Sequence, residues 1–178
     1  MSAPVLLHPK RRWTRLRPAV YTQNGRVFLT LCAKGKQPIF GYIENDLLHP
    51  TPIGIMVSRQ LDAFQHRYEG LSIEQSVLMP NHLHMLLARS SDGIALGQFV
   101  NLFKGWSTRA CGCPIWQRGY YDHLVRNEQD EMRIREYMTN NPRKWELDKE
   151  YYRESTNESG PLGDLGPGAP YGSPLRKQ

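Results

Sequence analysis

The sequence predicts an α+β fold: a ferredoxin-like antiparallel sheet with helices mainly on one face. Short segments rich in β-branched and apolar residues alternate with longer segments whose apolar residues recur every three to four positions. Their order is strand, helix, two strands, helix, strand and helix, which is typical of a split βαβ arrangement. At 178 residues the chain is long enough for one domain with a substantial core.

Composition divides the chain into three parts. Residues 1–18 form a basic N-terminal arm, residues 19–152 carry the periodic segments, and residues 153–178 are rich in glycine and proline with few aliphatic residues. We expect a single domain over 19–152, followed by a flexible tail over 153–178.

The first four elements have clear boundaries. A turn signal at Asn24-Gly25 precedes a strand over 26–34, and a helical pattern follows over 53–68. A strand over 71–78 then leads through the tight connection Met79-Pro80-Asn81 into a second, antiparallel strand.

Three further elements complete the predicted domain. Ser91-Asp92-Gly93 offers a cap for a helix whose apolar face begins at Leu96, and residues 115–126 suit a strand or extended segment. Asn127 is placed to cap a last helix, which we expect to end at Asn141-Pro142, because the residue before a proline is disfavoured in helical geometry.

The charge and the cysteine content indicate which class of partner the protein can bind and in which cellular compartment it is expected. The net charge is +6, with 23 Lys+Arg against 17 Asp+Glu, and this suits a partner that is a polyanion as well as it suits simple solubility. The three cysteines lack zinc or redox spacing, so we expect free thiols in a reducing cytoplasm. No stretch reaches the roughly 18 apolar residues of a membrane span, so no membrane partner is expected.

The predicted strand after Asn81 carries two histidines, His82 and His84, in an apolar run. Side chains alternate along a strand, so both imidazoles point to the same face and converge there. Such a pair supplies two ligands of a divalent metal site from one rigid element. A strand with two partly exposed or hydrogen-bonded histidines is the alternative.

The last predicted helix carries Arg133, Tyr137 and Asn141 at a spacing of four, so the three side chains share one stripe. A tyrosine and an amide one turn apart can face the same ligand. Alternatively, Asn141 is a helix stop residue and Tyr137 is a core tyrosine with a bonded hydroxyl.

Several blocks together resemble one known family. His82-Leu83-His84 is similar to the His-hydrophobic-His motif of the HUH endonucleases, which also carry a tyrosine on a later helix. A closer resemblance rests on the blocks Gly25-Arg26-Val27-Phe28-Leu29-Thr30-Leu31-Cys32-Ala33-Lys34-Gly35, Phe40-Gly41, Met79-Pro80-Asn81-His82-Leu83-His84, Phe103-Lys104, Ile115-Trp116-Gln117-Arg118-Gly119-Tyr120-Tyr121-Asp122-His123 and Arg135-Glu136-Tyr137-Met138-Thr139-Asn140-Asn141-Pro142. Over roughly residues 15–150 the chain resembles the REP-associated tyrosine transposases, relatives of the single-tyrosine insertion-sequence transposases.

The resemblance implies a metal-dependent enzyme. His82, His84 and Asn141 match the ligands of Mg²⁺ or Mn²⁺, and Tyr137 matches the nucleophile that cleaves single-stranded or hairpin DNA through a 5′-phosphotyrosine, with no nucleotide cofactor. The family commonly has Ile where Met138 stands, and the segment after Pro142 is similar to only part of the family. We expect a monomer, although related enzymes place the tyrosine helix in a partner subunit.

Basic and aromatic side chains elsewhere are candidate DNA contacts, either to phosphates or by stacking on unpaired bases. They are Lys104, Arg118, Arg126, Arg133, Trp13, Trp116, Tyr120, Arg11, Arg12 and Arg15. Two other functions stay open: a domesticated hairpin-DNA-binding protein without catalysis, and an RNA-binding α+β domain in which the histidines have no role.

Overall fold

A computed structural model describes residues 24–65 and 67–156, and over 146–156 it describes the helical backbone alone. A single 3₁₀ turn, Lys34–Lys36, follows the first strand. The other elements, in chain order, are β1 (Gly25–Cys32), β2 (Gly41–Glu44), β3 (Leu47–Pro50), α1 (Pro52–Phe64), β4 (Leu71–Met79), β5 (His82–Arg89), α2 (Leu96–Cys111), β6 (Tyr121–Leu124) and α3 (Glu128–Thr156).

The main sheet has four antiparallel strands in the order β4-β5-β1-β6. α1 connects β1 to β4 by way of the β2–β3 hairpin, and α2 connects β5 to β6. This strand order and these crossovers are those of the ferredoxin-like fold, which confirms the predicted fold class. β5 and β1 are the two central strands.

The main core lies on the face of the sheet that carries α1 and α2. Leu29 and Leu31 of β1 and Leu83 and Met85 of β5 are all fully buried there. The apolar stripes of the two helices cover them, among them Val57, Leu61, Phe64, Leu96, Phe99, Val100 and Phe103. Two of the three helices thus share one face, as predicted.

The opposite face is covered by α3. Ile134 and Met138 of α3 are fully buried against Phe28 and Leu86 of the sheet. An ion network also ties α3 to the sheet, with Arg135 2.5 Å from Glu74 and Glu74 2.8 Å from Arg26. Helices mainly on one face, as predicted, would leave this face largely free. α3 covers it instead, because it presents its apolar stripe there.

α3 does not end at Asn141 as the sequence predicted. It continues through Pro142 as far as Thr156, for 29 residues. Beyond the proline, Trp145 is 5% exposed and packs with Ile43 and Met79, and this tertiary contact outweighs the local preference against a helix before proline. The first four residues of the expected tail, 153–156, are therefore helical, and residues 157–178 lie outside the described part of the chain.

The β2–β3 hairpin was not predicted. Its two turn residues, Asn45 and Asp46, both have positive φ, 53° and 60°, as a type I′ turn requires. Gly41 lets the strands approach closely, since a Cβ there would lie 2.5 Å from the carbonyl oxygen of His49. The buried side of the hairpin supplies Ile43 to the contact with α3.

The helix caps agree only in part with the predictions. The side chain of Asn127 accepts a hydrogen bond from the backbone N–H of Asp130 at 2.9 Å, which confirms the predicted cap of α3. α2 instead begins after Ala95 with no side-chain cap, so the cap expected at Ser91-Asp92-Gly93 was wrong. All three cysteines are free thiols, as predicted. Within the described residues, no helix is both long and apolar enough to cross a membrane.

Candidate active site

The histidine pair lies on β5, on the face of the sheet that α3 covers. His82 and His84 are 3% and 1% exposed, and their Nε2 atoms are 3.0 Å apart. The two rings do converge as the strand period predicts. Both rings are buried on the same face, so they are not partly exposed, whereas the alternative of two hydrogen-bonded histidines stays open.

Each histidine also has a polar partner at its other ring nitrogen. Nδ1 of His84 lies 2.8 Å from Oγ1 of Thr30, the residue directly opposite on β1. Nδ1 of His82 lies 2.7 Å from Oδ1 of Asn81, whose Nδ2 donates to the carbonyl of Lys36. Neither Thr30 nor Asn81 was among the predicted site residues. A threonine inside the apolar run of β1 was the available signal.

Burial makes both imidazoles neutral at physiological pH. Loss of hydration lowers the pKa of His82 from 6.5 to about 4. The same cause, with repulsion from His82 as a smaller one, lowers the pKa of His84 well below its usual value. A neutral imidazole has a lone pair on one of its two ring nitrogens, and it carries no positive charge that would repel a metal ion.

From the stripe predicted on α3, Tyr137 lies against this pair. The ring of Tyr137 is 5.4 Å from that of His84, and the ring of Trp145 is 6.0 Å from that of His82. Asn141 is one helical turn from each of these two residues and is 7% exposed. Its buried Nδ2 has no hydrogen-bond partner within the described residues. Arg133, one turn before Tyr137, is exposed.

Two further side chains contact the ring of Tyr137. Phe28 stacks on His84, with centroids 5.0 Å apart, and meets the ring of Tyr137 edge-on at 6.1 Å. Lys144 places its ammonium 5.7 Å from the centre of the Tyr137 ring, a distance at which the cation is attracted to the ring face. Tyr137 is therefore a half-buried tyrosine held by an aromatic and a cation beside the histidine pair.

These donors fit an octahedral divalent ion. Two adjacent nitrogen ligands, each about 2.1 Å from such an ion, are about 3.0 Å apart, and the Nε2 atoms of His82 and His84 have this separation. The described residues contain no cluster of three or more His, Cys, Asp and Glu side chains that could hold a metal. An ion here would therefore take its remaining ligands from an amide such as Asn141, from water or from a substrate.

The predicted DNA contacts have different positions. Arg118 and Arg126 are exposed, as is Arg133, so all three remain candidates. Trp13, Arg11, Arg12 and Arg15 lie outside the described residues.

Two of these predictions need correction. Trp116 is 7% exposed, packs on Phe40 and donates its indole N–H to Ser107, so its ring is core and is not available to an unpaired base. Lys104 belongs to α2, across the sheet from the histidines.

The ammonium of Lys104 donates to the carbonyl oxygens of Gln117 and Gly119 and thereby holds the loop before β6. Desolvation lowers the pKa of Lys104 to about 8. Its bonded position favours a structural role over a phosphate contact. Tyr120 is half-buried and packs against the main core.

Comparison with known proteins gives relatives of the sequence and of the fold. No protein-family model matches the chain. An uncharacterized protein of Haemophilus influenzae is 29% identical, over 79% of this chain and 93% of the relative. A putative transposase from Deinococcus radiodurans is 19% identical, with a TM-score of 0.47 over 66% of this chain and 90% of that one.

A further solved structure, of a REP-associated tyrosine transposase bound to a REP hairpin, covers far more of the fold. Its TM-score is 0.61 at 19% identity, over 91% of this chain and 99% of that chain. The match extends over nearly all of both chains. The chain has the fold of the REP-associated tyrosine transposase.

Proposed function

We propose that the protein is a DNA endonuclease and strand transferase of the REP-associated tyrosine transposase type, with Tyr137 as its nucleophile. The observation that carries this proposal is the position of Tyr137 on α3, with its ring 5.4 Å from that of His84 in a buried histidine pair. A tyrosine, two neutral imidazoles and a buried amide on one site are the groups that a metal-assisted phosphodiester transesterification needs.

His82, His84 and Asn141 are the residues that would hold Mg²⁺ or Mn²⁺. A divalent ion bound there would neutralise charge on the scissile phosphate and would stabilise the leaving oxygen. Two imidazoles and an amide leave several coordination positions for oxygen ligands, which Mg²⁺ and Mn²⁺ prefer. A structural zinc site would instead be closed by cysteines or a fourth protein ligand.

Tyr137 carries the covalent step. Its phenolic oxygen loses its proton and bonds to phosphorus, the bond from phosphorus to the 3′ oxygen breaks, and the 3′ oxygen takes up a proton. The products are a 5′-phosphotyrosine and a free 3′ hydroxyl. One phosphodiester is exchanged for another, so the reverse reaction rejoins DNA without a nucleotide cofactor.

The charge of the chain and the matched solved structure support the proposed substrate class. A chain with a net charge of +6 and exposed Arg118, Arg126 and Arg133 suits a polyanion. The matched transposase was solved with a REP hairpin, and we propose single-stranded or hairpin DNA, of the repetitive extragenic palindrome type, for this chain as well.

The test is formation of a covalent adduct. A pool of labelled single-stranded hairpins is incubated with the protein and Mn²⁺ or Mg²⁺ and resolved on a denaturing protein gel. The label should migrate with the protein only when metal is present, and the adduct should be lost in Tyr137→Phe and His82→Ala.

Tyr42→Phe is the matched control, because Tyr42 lies on the β2–β3 hairpin with 54% of its surface exposed. This variant should form the adduct as the wild type does. An adduct that persists in Tyr137→Phe would exclude Tyr137 as the nucleophile. Tight hairpin binding by the wild type without an adduct would favour a non-catalytic DNA-binding protein.

A further inference from the structure

Four side chains form a continuous hydrogen-bonded row through the histidine pair. In order they are Asn81, His82, His84 and Thr30, and the carbonyl of Lys36 lies at the Asn81 end. A backbone carbonyl only accepts hydrogen bonds, and a neutral imidazole donates from one nitrogen and accepts at the other. The direction of every bond in the row is therefore determined from the carbonyl onward.

The Asn81 end sets the protonation of His82. Nδ2 of Asn81 donates to the carbonyl oxygen of Lys36 at 3.2 Å, so Oδ1 of the same amide is the atom that faces His82. Since Oδ1 can only accept, Nδ1 of His82 carries the hydrogen. Nε2 of His82 is left with its lone pair, which is the form of the ring that a metal ion binds.

His84 is in the opposite neutral form, with its hydrogen on Nε2. Its Nε2 is 3.0 Å from the lone pair on Nε2 of His82, so it donates and carries the hydrogen. Nδ1 of His84 is then an acceptor, and the hydroxyl of Thr30 donates to it at 2.8 Å. Without metal, one histidine is ready to ligate and the other is not.

We propose that Thr30 is a positioning residue for the metal site, whose hydroxyl reverses its role so that His84 can present Nε2 to the ion. The proposal rests on the proposed metal-binding function of the pair. One proton leaves Nε2 to water and one arrives at Nδ1 from water, so His84 is neutral before and after. Nδ1–H then donates to Oγ1 of Thr30, which accepts as readily as it donates.

The Thr30→Val variant removes this reversal at nearly constant volume. In the loaded protein, the buried Nδ1–H of His84 would face a methyl group, and loss of such a second hydrogen-bond partner typically lowers metal affinity about 10- to 100-fold. Titration of the protein with Mn²⁺ alone, followed by electron paramagnetic resonance, should show a loss of this size in Thr30→Val.

Two further variants serve as controls for this titration. Thr30→Ser keeps the hydroxyl and should keep most of the wild-type affinity. Thr139→Val is the matched control, because Thr139 lies on the exposed side of α3 with its hydroxyl bonded to the backbone, and its affinity should equal that of the wild type.

A second measurement needs no variant at position 30. Two-bond ¹H–¹⁵N correlation spectra distinguish the two neutral forms of each imidazole, with assignments from His82→Gln and His84→Gln. In metal-free protein, His82 should carry its hydrogen on Nδ1 and His84 on Nε2. Addition of Mg²⁺, which is diamagnetic, should move the hydrogen of His84 to Nδ1 and leave that of His82 in place.

The outcomes separate this inference from the function on which it rests. If His82→Ala binds Mn²⁺ as tightly as the wild type, the pair is not the metal site and the proposed function loses its metal centre. If His82→Ala loses the metal while Thr30→Val retains wild-type affinity, or if His84 already carries its hydrogen on Nδ1 without metal, the role of Thr30 is overturned and the metal site remains.

Discussion

At the scale of single residues, the imidazoles of His82 and His84 show how burial sets chemistry. Both lie between α3 and the sheet with 3% and 1% of their surface exposed. A buried charge without a counter-ion is costly, so the neutral form is favoured and the pKa of each ring falls. The same burial that prepares the pair as ligands makes folding sensitive to pH.

We expect the metal-free protein to lose stability as the pH falls from about 6.5 toward about 4. In the unfolded chain, both imidazoles take up protons below the ordinary pKa of 6.5, whereas folded His82 remains neutral down to about 4. The unfolded state therefore binds more protons in this window, and the free energy of unfolding decreases as the pH falls. For His82 alone the loss amounts to about 3 kcal/mol.

Urea denaturation in EDTA across this pH range measures the effect. The double variant His82→Gln, His84→Gln serves as the reference, because all other titrating groups are the same in both proteins. The difference in unfolding free energy between the two proteins should change steeply between pH 6.5 and 4. A difference that stays constant over this range would mean that the pair is hydrated in solution.

At the scale of secondary structure, the sequence predicted elements whose pattern is local. β1, α1, β4, β5 and α2 were found because period two or period 3.6 is visible within a few residues. The histidines were found for the same reason, and α3 was correctly started at Asn127. The β2–β3 hairpin is only four residues a strand, and Asn45-Asp46 was its one clear turn signal.

The end of α3 could not be predicted from local rules. The continuation beyond Pro142 depends on Trp145, which packs on Ile43 and Met79 from distant parts of the chain. The partners of the candidate site are equally non-local. Thr30 is 54 residues from His84 in sequence, so its role appears only when β1 and β5 are paired in register.

Pro142 itself should reduce stability. It has no N–H to donate to the carbonyl of Met138, four residues earlier, and its ring crowds that carbonyl, which together cost up to about 3 kcal/mol in a helix interior. We therefore expect Pro142→Ala to raise the free energy of unfolding by about 1–3 kcal/mol, the lower value allowing for the greater entropy of the unfolded alanine chain.

Chemical denaturation measures this change, and Asn140→Ala is the matched control at a neighbouring exposed helical position. The control measures how much an alanine at an exposed position of this helix raises the free energy of unfolding, which we expect to be about 0.5 kcal/mol. If Pro142→Ala gains no more than Asn140→Ala, the helix near residue 142 has already accommodated the proline without strain.

At the scale of the whole molecule, the two faces of the sheet differ in the residues that line them. The face toward α1 and α2 is lined by aliphatic and aromatic residues and forms the main core. The face toward α3 combines a small apolar cluster with the polar residues Thr30, His82, His84 and Asn141. Polar residues are uncommon in a central strand that is buried on both faces. Except for Arg89 at the end of β5, the polar residues of β1 and β5 lie toward α3.

The position of α3 decides how many chains make one site. Tyr137 lies against His84 of its own chain, and Arg135 and Glu74 join the same helix to the same sheet. We therefore expect one chain to hold a complete site and to act as a monomer. The alternative is a dimer in which each tyrosine helix serves the histidine pair of the other chain.

Mixing two inactive variants distinguishes these arrangements. His82→Ala keeps the tyrosine and Tyr137→Phe keeps the histidine pair, so a site shared between chains would be restored in one half of a mixed dimer. A site within one chain would not be restored by mixing. We therefore expect the mixture to form no DNA adduct at any ratio or protein concentration. Light scattering on the same samples should give the mass of one chain, because the network through Arg135 fixes α3 to its own sheet. Adduct formation that rises with the concentration of the mixture would instead place Tyr137 in the partner's site.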